Sequence, residues 1–336
     1  MIVIVLIALA AGSASALMFA SIISGALISL LLLYLAPLPL MVAAMVWGPL
    51  CATIGGITAA IGLGAIFGLP YCIAFAVMAA LPAWWLGHLA LLGRPQDNIR
   101  DTIHNTMTTN AAPSGNGTAI ATPVLEWYPV GRILLWIAGF AALTTMATLL
   151  TLGSDAATIN GALQRGLPRI FGAEDAASIG QNEPWVDALV KIAPSAAAIV
   201  AMMTLTLNLW LGTKVTATSG RLNRPWPDLK NTALPPMTLV ALTVAIAFCF
   251  TGGLVAMLAQ IIAAALMMTY ALIGFAVLHT LTLSLKNRPV WLSCVYAFVV
   301  VFTWPVLAVA ALGIADAVFG FRQRYLRSRP PPLPAA

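Results

Sequence analysis

Polar side chains inside apolar runs are the first place to look for chemistry, because placing one in hydrocarbon is costly unless it makes a specific contact. The chain has few. His88 follows Trp84-Trp85-Leu86-Gly87, and His279 sits in Ala276-Val-Leu-His-Thr280. Asn208 stands two residues before Trp210, Gln260 opens an apolar run, and Asp316 lies near the end of another. Imidazole and carboxamide groups beside indole rings suit a small ligand held by stacking and a few hydrogen bonds. Trp84, Trp85, His88, Asn208, Trp210 and His279 are therefore the candidate ligand contacts. Each also has a plainer reading. His88 stands some five residues before a loop, where an interfacial ring is natural. His279 suits a helix–helix hydrogen bond, and Asp316, six residues before Arg322, suits a membrane boundary.

Enzyme signatures are missing from the sequence. There is no P-loop, no His-Glu-x-x-His, no pair of intramembrane aspartates and no nucleophile elbow. Cys51, Cys72, Cys249 and Cys294 fall in apolar runs without metal-ligand spacing and read as small buried hydrophobes. The expectation is a protein that is not an enzyme and takes no metal or cofactor. A chain without a nucleotide site is not its own ATP-driven pump. Ion-coupled transport needs intramembrane carboxylates, and none lies deep in a span.

What positions these residues follows from composition. The 336 residues are 61% hydrophobic and 8% charged, against roughly 25% charged in a soluble chain. No Asp, Glu, Lys or Arg occurs between Met1 and Gly93, and further uncharged runs cover 133–154, 192–213, 231–285 and 289–315. About 20 apolar residues cross a bilayer, so these runs are transmembrane. Lipid leaves helices or a closed barrel as the only spanning structures. Long continuous runs, in place of alternating strands of about 10 residues, exclude the barrel. The fold class is all-α: a polytopic transmembrane helical bundle of about eight spans. It forms one transmembrane domain over 1–320, with loops at 94–131, 154–190 and 214–235 and a basic, Pro-rich tail at 321–336. The net charge of +6 reflects loops facing the cytoplasm and anionic lipid, not nucleic acid. The N-terminal run lacks a positive n-region and continues past Ala14-Ser15-Ala16, so it reads as a retained helix and not a signal peptide.

Breakers divide the runs. They predict a long first helix over about 3–34, a pair over 39–67 bent at Gly48-Pro49, and spans at 71–92 and 133–153. Ile159, Leu163, Leu167 and Ile170 recur at helical spacing and predict an amphipathic helix on the membrane surface. A span at 192–213 follows, then two spans within 231–285 parted at Thr251-Gly252-Gly253, and a last span over 289–318 kinked near Pro305. The loop 94–131 has a flexible centre at 110–117 and ends in Glu126-Trp-Tyr-Pro-Val-Gly-Arg132, the mark of an interface. This order puts nine Lys or Arg on one side and seven on the other, which does not fix the orientation.

Two features suit partners. Ala8, Gly12, Ala16 and Ala20 form a small-residue stripe, as do Gly56, Ala60, Gly64 and Gly68. Such a stripe docks another membrane subunit or packs helices within the chain. In the loop Ser219–Leu229, prolines stiffen the chain around Trp226. Arg221 and Arg224 there suit lipid headgroups or a partner's acidic groups, or simply set topology.

Several segments together resemble the YybS-like family of predicted bacterial membrane proteins, a family of unknown function. They are Tyr34-Leu-Ala-Pro-Leu-Pro39, Trp47-Gly-Pro49, Pro82-Ala-Trp-Trp85, Glu126 to Arg132, Asn208-Leu-Trp210 with Arg-Pro-Trp-Pro-Asp228, Gly274 to His279, and Leu312-Gly-Ile-Ala-Asp316. The family is distantly similar to the S components of energy-coupling factor (ECF) transporters, helical substrate binders of about six spans energised by a transmembrane subunit and two ATPases. The resemblance implies an S-component-like core in a bacterial inner membrane, a passive substrate-capturing role, and those subunits as partners. Eight expected spans and two long loops depart from the S-component pattern. The alternative is a scaffold or regulator acting through the Arg-rich loop and tail.

Overall fold

The computed structural model describes residues 1–95, 125–170, 184–222, 224–227 and 232–327. The expected flexible centre at 110–117, the end of the Arg-Pro-Trp-Pro-Asp segment and the Pro-rich end of the tail lie outside the described residues.

The chain is a bundle of helices. Helix α1 (Ile2–Ala20) continues through a short 3-10 turn, Ser21–Ser24, and stops at Gly25, where φ is +68°. That left-handed backbone is cheap only for glycine, so the reversal falls there. The expected helix over 3–34 is thus the first span and the beginning of the second. Helices α2 (Leu27–Leu35) and α3 (Pro37–Trp47) make that second span together. Proline is tolerated where it opens a helical turn, and Pro37 opens α3. Helix α4 (Pro49–Phe67) is the third span, and Gly48 lies between two spans, not at a bend within one. Helices α5 (Leu69–Phe75) and α6 (Leu81–Ala90), joined through a π turn, are the fourth.

A two-stranded clasp, β1 (Gly93–Pro95) against β2 (Leu125–Trp127), leads into α7 (Val130–Leu152). The amphipathic segment is helix α8 (Ala156–Ile170), opened by Asp155, whose carboxylate accepts from the Thr158 backbone N–H at 2.9 Å and from its hydroxyl at 2.6 Å. Those bonds hold the Asp155 carboxyl below the ordinary range. Helix α9 (Pro184–Thr218) is 35 residues long, far beyond the expected 192–213.

The run 231–285 departs from expectation in one half. Helix α10 (Met237–Phe248) has 12 residues, short of the roughly 20 a span needs. Its neighbour α11 (Gly253–Leu281) has 29, about 43 Å at 1.5 Å per residue. Gly252 and Gly253 turn the chain between them with φ of +82° and +63°.

The last expected span is instead a hairpin. Helix α12 (Arg288–Phe302) folds back along α11, with Tyr296 stacked on Phe275 at 5.2 Å between ring centres. The chain turns at Thr303, φ +60°. Helix α13 (Pro305–Phe319) then packs on α11 so closely that a Cβ at Gly313 would overlap the Tyr270 carbonyl. Helix α14 (Phe321–Arg327) ends beside the start of the hairpin, where the Tyr325 hydroxyl bonds Ser284 Oγ at 3.0 Å. Both ends of the hairpin therefore meet one end of α11, and the segment does not cross. Among the described residues seven helices have the length and apolarity of a span, and α13 with α14, bent by 65° between them, would make an eighth if counted as one.

This topology sorts the charges. Arg94, Arg132, Lys214, Arg221, Arg224, Lys286, Arg288, Arg322, Arg324 and Arg327 gather at the end of the bundle where α6 and α11 finish, against Arg165, Arg169 and Lys191 at the other. A near-even split becomes a strong bias because the hairpin returns the tail to its starting side.

Candidate functional site

At the cationic end a cavity of about 740 Å³ opens between α7, α9, α11, α12 and the 222–227 loop. Ligand pockets are commonly about 300–1,000 Å³, apolar, with a few polar groups fixing orientation. Here α7 gives Ile133 and Ile137, α9 gives Met203, Thr206 and Trp210, and α11 gives Met268 and Leu272. Among the described residues the polar groups are His279, Arg288, Tyr296, Arg224 and a few threonines, and no Asp or Glu lines the wall.

The loop is drawn inward by its backbone contacts. Arg224 donates from Nη1 to the Ala90 carbonyl and from Nη2 to the Tyr128 carbonyl, both at 3.0 Å, so it ties the loop to α6 and to the start of α7. Burial pushes its pKa down from the usual guanidinium value, and the group remains a cation. Trp226 is held beneath Lys214, whose Nζ lies 4.5 Å from the ring centre, and Arg221 lies over Trp47 at 5.4 Å.

The opposite wall is a three-residue network. His279 Nε2 and the Tyr296 hydroxyl are 2.8 Å apart. Arg288 Nη2 lies 3.3 Å from His279 Nδ1 and donates to the His279 carbonyl at 3.2 Å. Arg288 Nε is buried without a partner among the described residues. Neither Arg224 nor Arg288 forms an ion pair among them, whereas Arg322 meets Asp316 at 2.7 Å in a second cavity of about 530 Å³.

Four residues picked from sequence thus converge: Trp210, His279, Arg224 and Trp226. Others lie elsewhere. Trp84 and Trp85 are 5.5 Å apart, Trp85 meets Trp136 edge-on at 5.0 Å, and His88 lies 6.2 Å from Trp85. They make an aromatic cluster outside the cavity lining. Asn208 is fully buried and donates to the Tyr34 carbonyl at 2.7 Å and the Thr204 carbonyl at 2.8 Å, so it ties α9 to the second span. The stripe on α1 is taken up within the chain: Ala8 and Gly12 sit against Gly55 of α4, and Ala16 and Ala20 pack on the core. Sequence reasoning missed Arg288 and Tyr296. Their signal was faint: Arg288 read as a loop charge, and Tyr296 is the single tyrosine of the run 289–315.

No curated protein and no solved structure matches the chain. A family match covers α9, α11 and α12, which with the 224–227 segment give most of the cavity lining. Over residues 171–317 the chain matches the model of a family described as predicted membrane protein (DUF2232).

Proposed function

We propose that this multi-pass membrane protein captures a small molecule in the cavity between α7, α9, α11 and α12, as a passive binding subunit of an ECF-type uptake transporter. The observation that carries the reading is the cavity itself: ligand-sized, apolar along its walls, with His279, Arg288 and Tyr296 converging at one end. An S-component-like role accounts for a binding site on a chain whose sequence has neither nucleotide nor ion-coupling chemistry. The positive-inside bias favours a cytoplasmic position for the cationic end, in keeping with a bacterial inner membrane. The scaffold reading loses support, because Arg224 is turned into the protein and Arg322 is paired with Asp316.

Purification of the tagged chain from its host in mild detergent, with mass spectrometry of what accompanies it, tests the assignment. Recovery of a transmembrane subunit with its ATPases is the expected result. Recovery of envelope or ribosome-associated proteins without an ATPase would favour the scaffold.

A further inference from the structure

We infer that the cavity takes an amphiphile with a single anionic headgroup, a phosphate or carboxylate on an apolar body; this rests on the small-molecule reading above. Two guanidinium groups, Arg224 and Arg288, line a space whose remaining wall is mostly apolar, and among the described residues no carboxylate lines it with them. A charge facing low-dielectric surroundings without a counterion is unfavourable, and an incoming anion relieves it. Arg288 has a donor to offer, since its buried Nε has no partner among the described residues while its Nη2 is engaged by His279. The Tyr296 hydroxyl and the His279 ring beside it supply further hydrogen-bonding capacity at the same end.

The rest of the cavity fits an apolar body. Met203, Met268, Leu272 and Ile137 line the part away from the cations, and Trp210, half exposed, stands at the boundary with the outside of the bundle. Methionines adapt to flexible chains of varied shape. A neutral solute would leave both guanidinium groups uncompensated, and a cationic one would add to the repulsion. A fully hydrophilic anion would leave the methionine and leucine wall unmatched. The headgroup belongs either to a membrane lipid or to a free amphiphilic acid, and both present the same chemistry to Arg288.

The test uses the full chain in neutral maltoside micelles, with dibromostearate as an anionic contact quencher of tryptophan and dibromostearyl alcohol as its neutral counterpart. Saturable quenching that requires Trp210 and Trp226 is expected. Its midpoint for the acid should be about tenfold or more below that for the alcohol, as one charge-assisted hydrogen bond implies, and Arg288→Gln should abolish the difference. Equal midpoints for acid and alcohol, or a preference that survives in Arg288→Gln while the variant stays folded, would overturn the anionic headgroup and leave small-molecule capture standing. No saturable quenching by either probe overturns the amphiphile altogether, and copurification still decides the transporter role separately. Organic extraction of the purified protein identifies the source: a retained phospholipid assigns the headgroup to lipid, and a retained non-lipid acid assigns it to a free solute.

Discussion

Asn208 Nδ2 donates to the backbone carbonyl of Tyr34 at 2.7 Å, 174 positions away in sequence. The acceptor lies in the last turn of α2, where the final carbonyls of a helix have no partner within it. In lipid no water replaces a missing donor, so an amide from another helix is a natural remedy. Asn208→Leu should lower the stability of the purified protein by about 1 kcal/mol, the scale of one interhelical hydrogen bond. Thermal unfolding in detergent measures this. An unchanged midpoint would mean that the contact stabilises nothing.

Close packing of α11 and α13 depends on the absence of side chains. A Cβ at Gly313 would overlap the Tyr270 carbonyl, and one at Gly274 the Val309 carbonyl. Gly313→Val should therefore cost about 3 kcal/mol or more through overpacking. Gly139 in α7 meets nothing within 4 Å, and Gly139→Ala should be neutral or stabilise by up to about 1 kcal/mol. Fluorescence-detected size exclusion after heating separates the two; equal behaviour would contradict the helix contact.

Asp316 and Arg322 form a buried pair at 2.7 Å, reinforced by the Arg322 backbone N–H donating to Asp316 Oδ1 at 2.9 Å. Asp316→Asn leaves a buried guanidinium unpaired and should cost about 3–5 kcal/mol, whereas replacing both with apolar residues of similar size should cost much less. The double-mutant cycle reads the difference in unfolding midpoints. Additive effects would show that the pair is not coupled.

The hairpin of α12 and α13 returns the chain to the side it left. Single cysteines placed at Lys286 and Gln323 in a cysteine-free chain should react with an impermeant maleimide from one face of the membrane, the cytoplasmic one, and a cysteine at Lys191 from the other. Labelling of positions 286 and 323 from opposite faces would restore the full span.

Much of this fold was legible in the sequence, because charge-free runs and glycine or proline breakers report directly on membrane crossing. The spans at α7 and α9, the amphipathic helix α8 and the break at Gly252-Gly253 follow from that logic. The hairpin did not, since a run of 289–315 without charge has the composition of a span whether it crosses or turns back at Thr303. The positions where helices 1 to 4 part were also misjudged, because Gly25 breaks a helix as decisively as Pro37, which merely begins one. The site was half legible. Trp210 and His279 stood out as polar or aromatic groups in apolar runs. Asn208 stood out for the same reason and serves the fold. The Arg288 guanidinium draws its significance from His279 nine residues earlier, a relation made by the turn between α11 and α12 and by no sequence pattern.

Native mass spectrometry tests most directly whether the cavity holds a small molecule. The protein would be released from its own membranes beside Ala276→Trp, which fills the cavity with an indole. A bound mass is expected on the original chain and absent from the filled variant, with both proteins folded. Identical spectra, whether both carry the same mass or neither carries any, would contradict small-molecule capture.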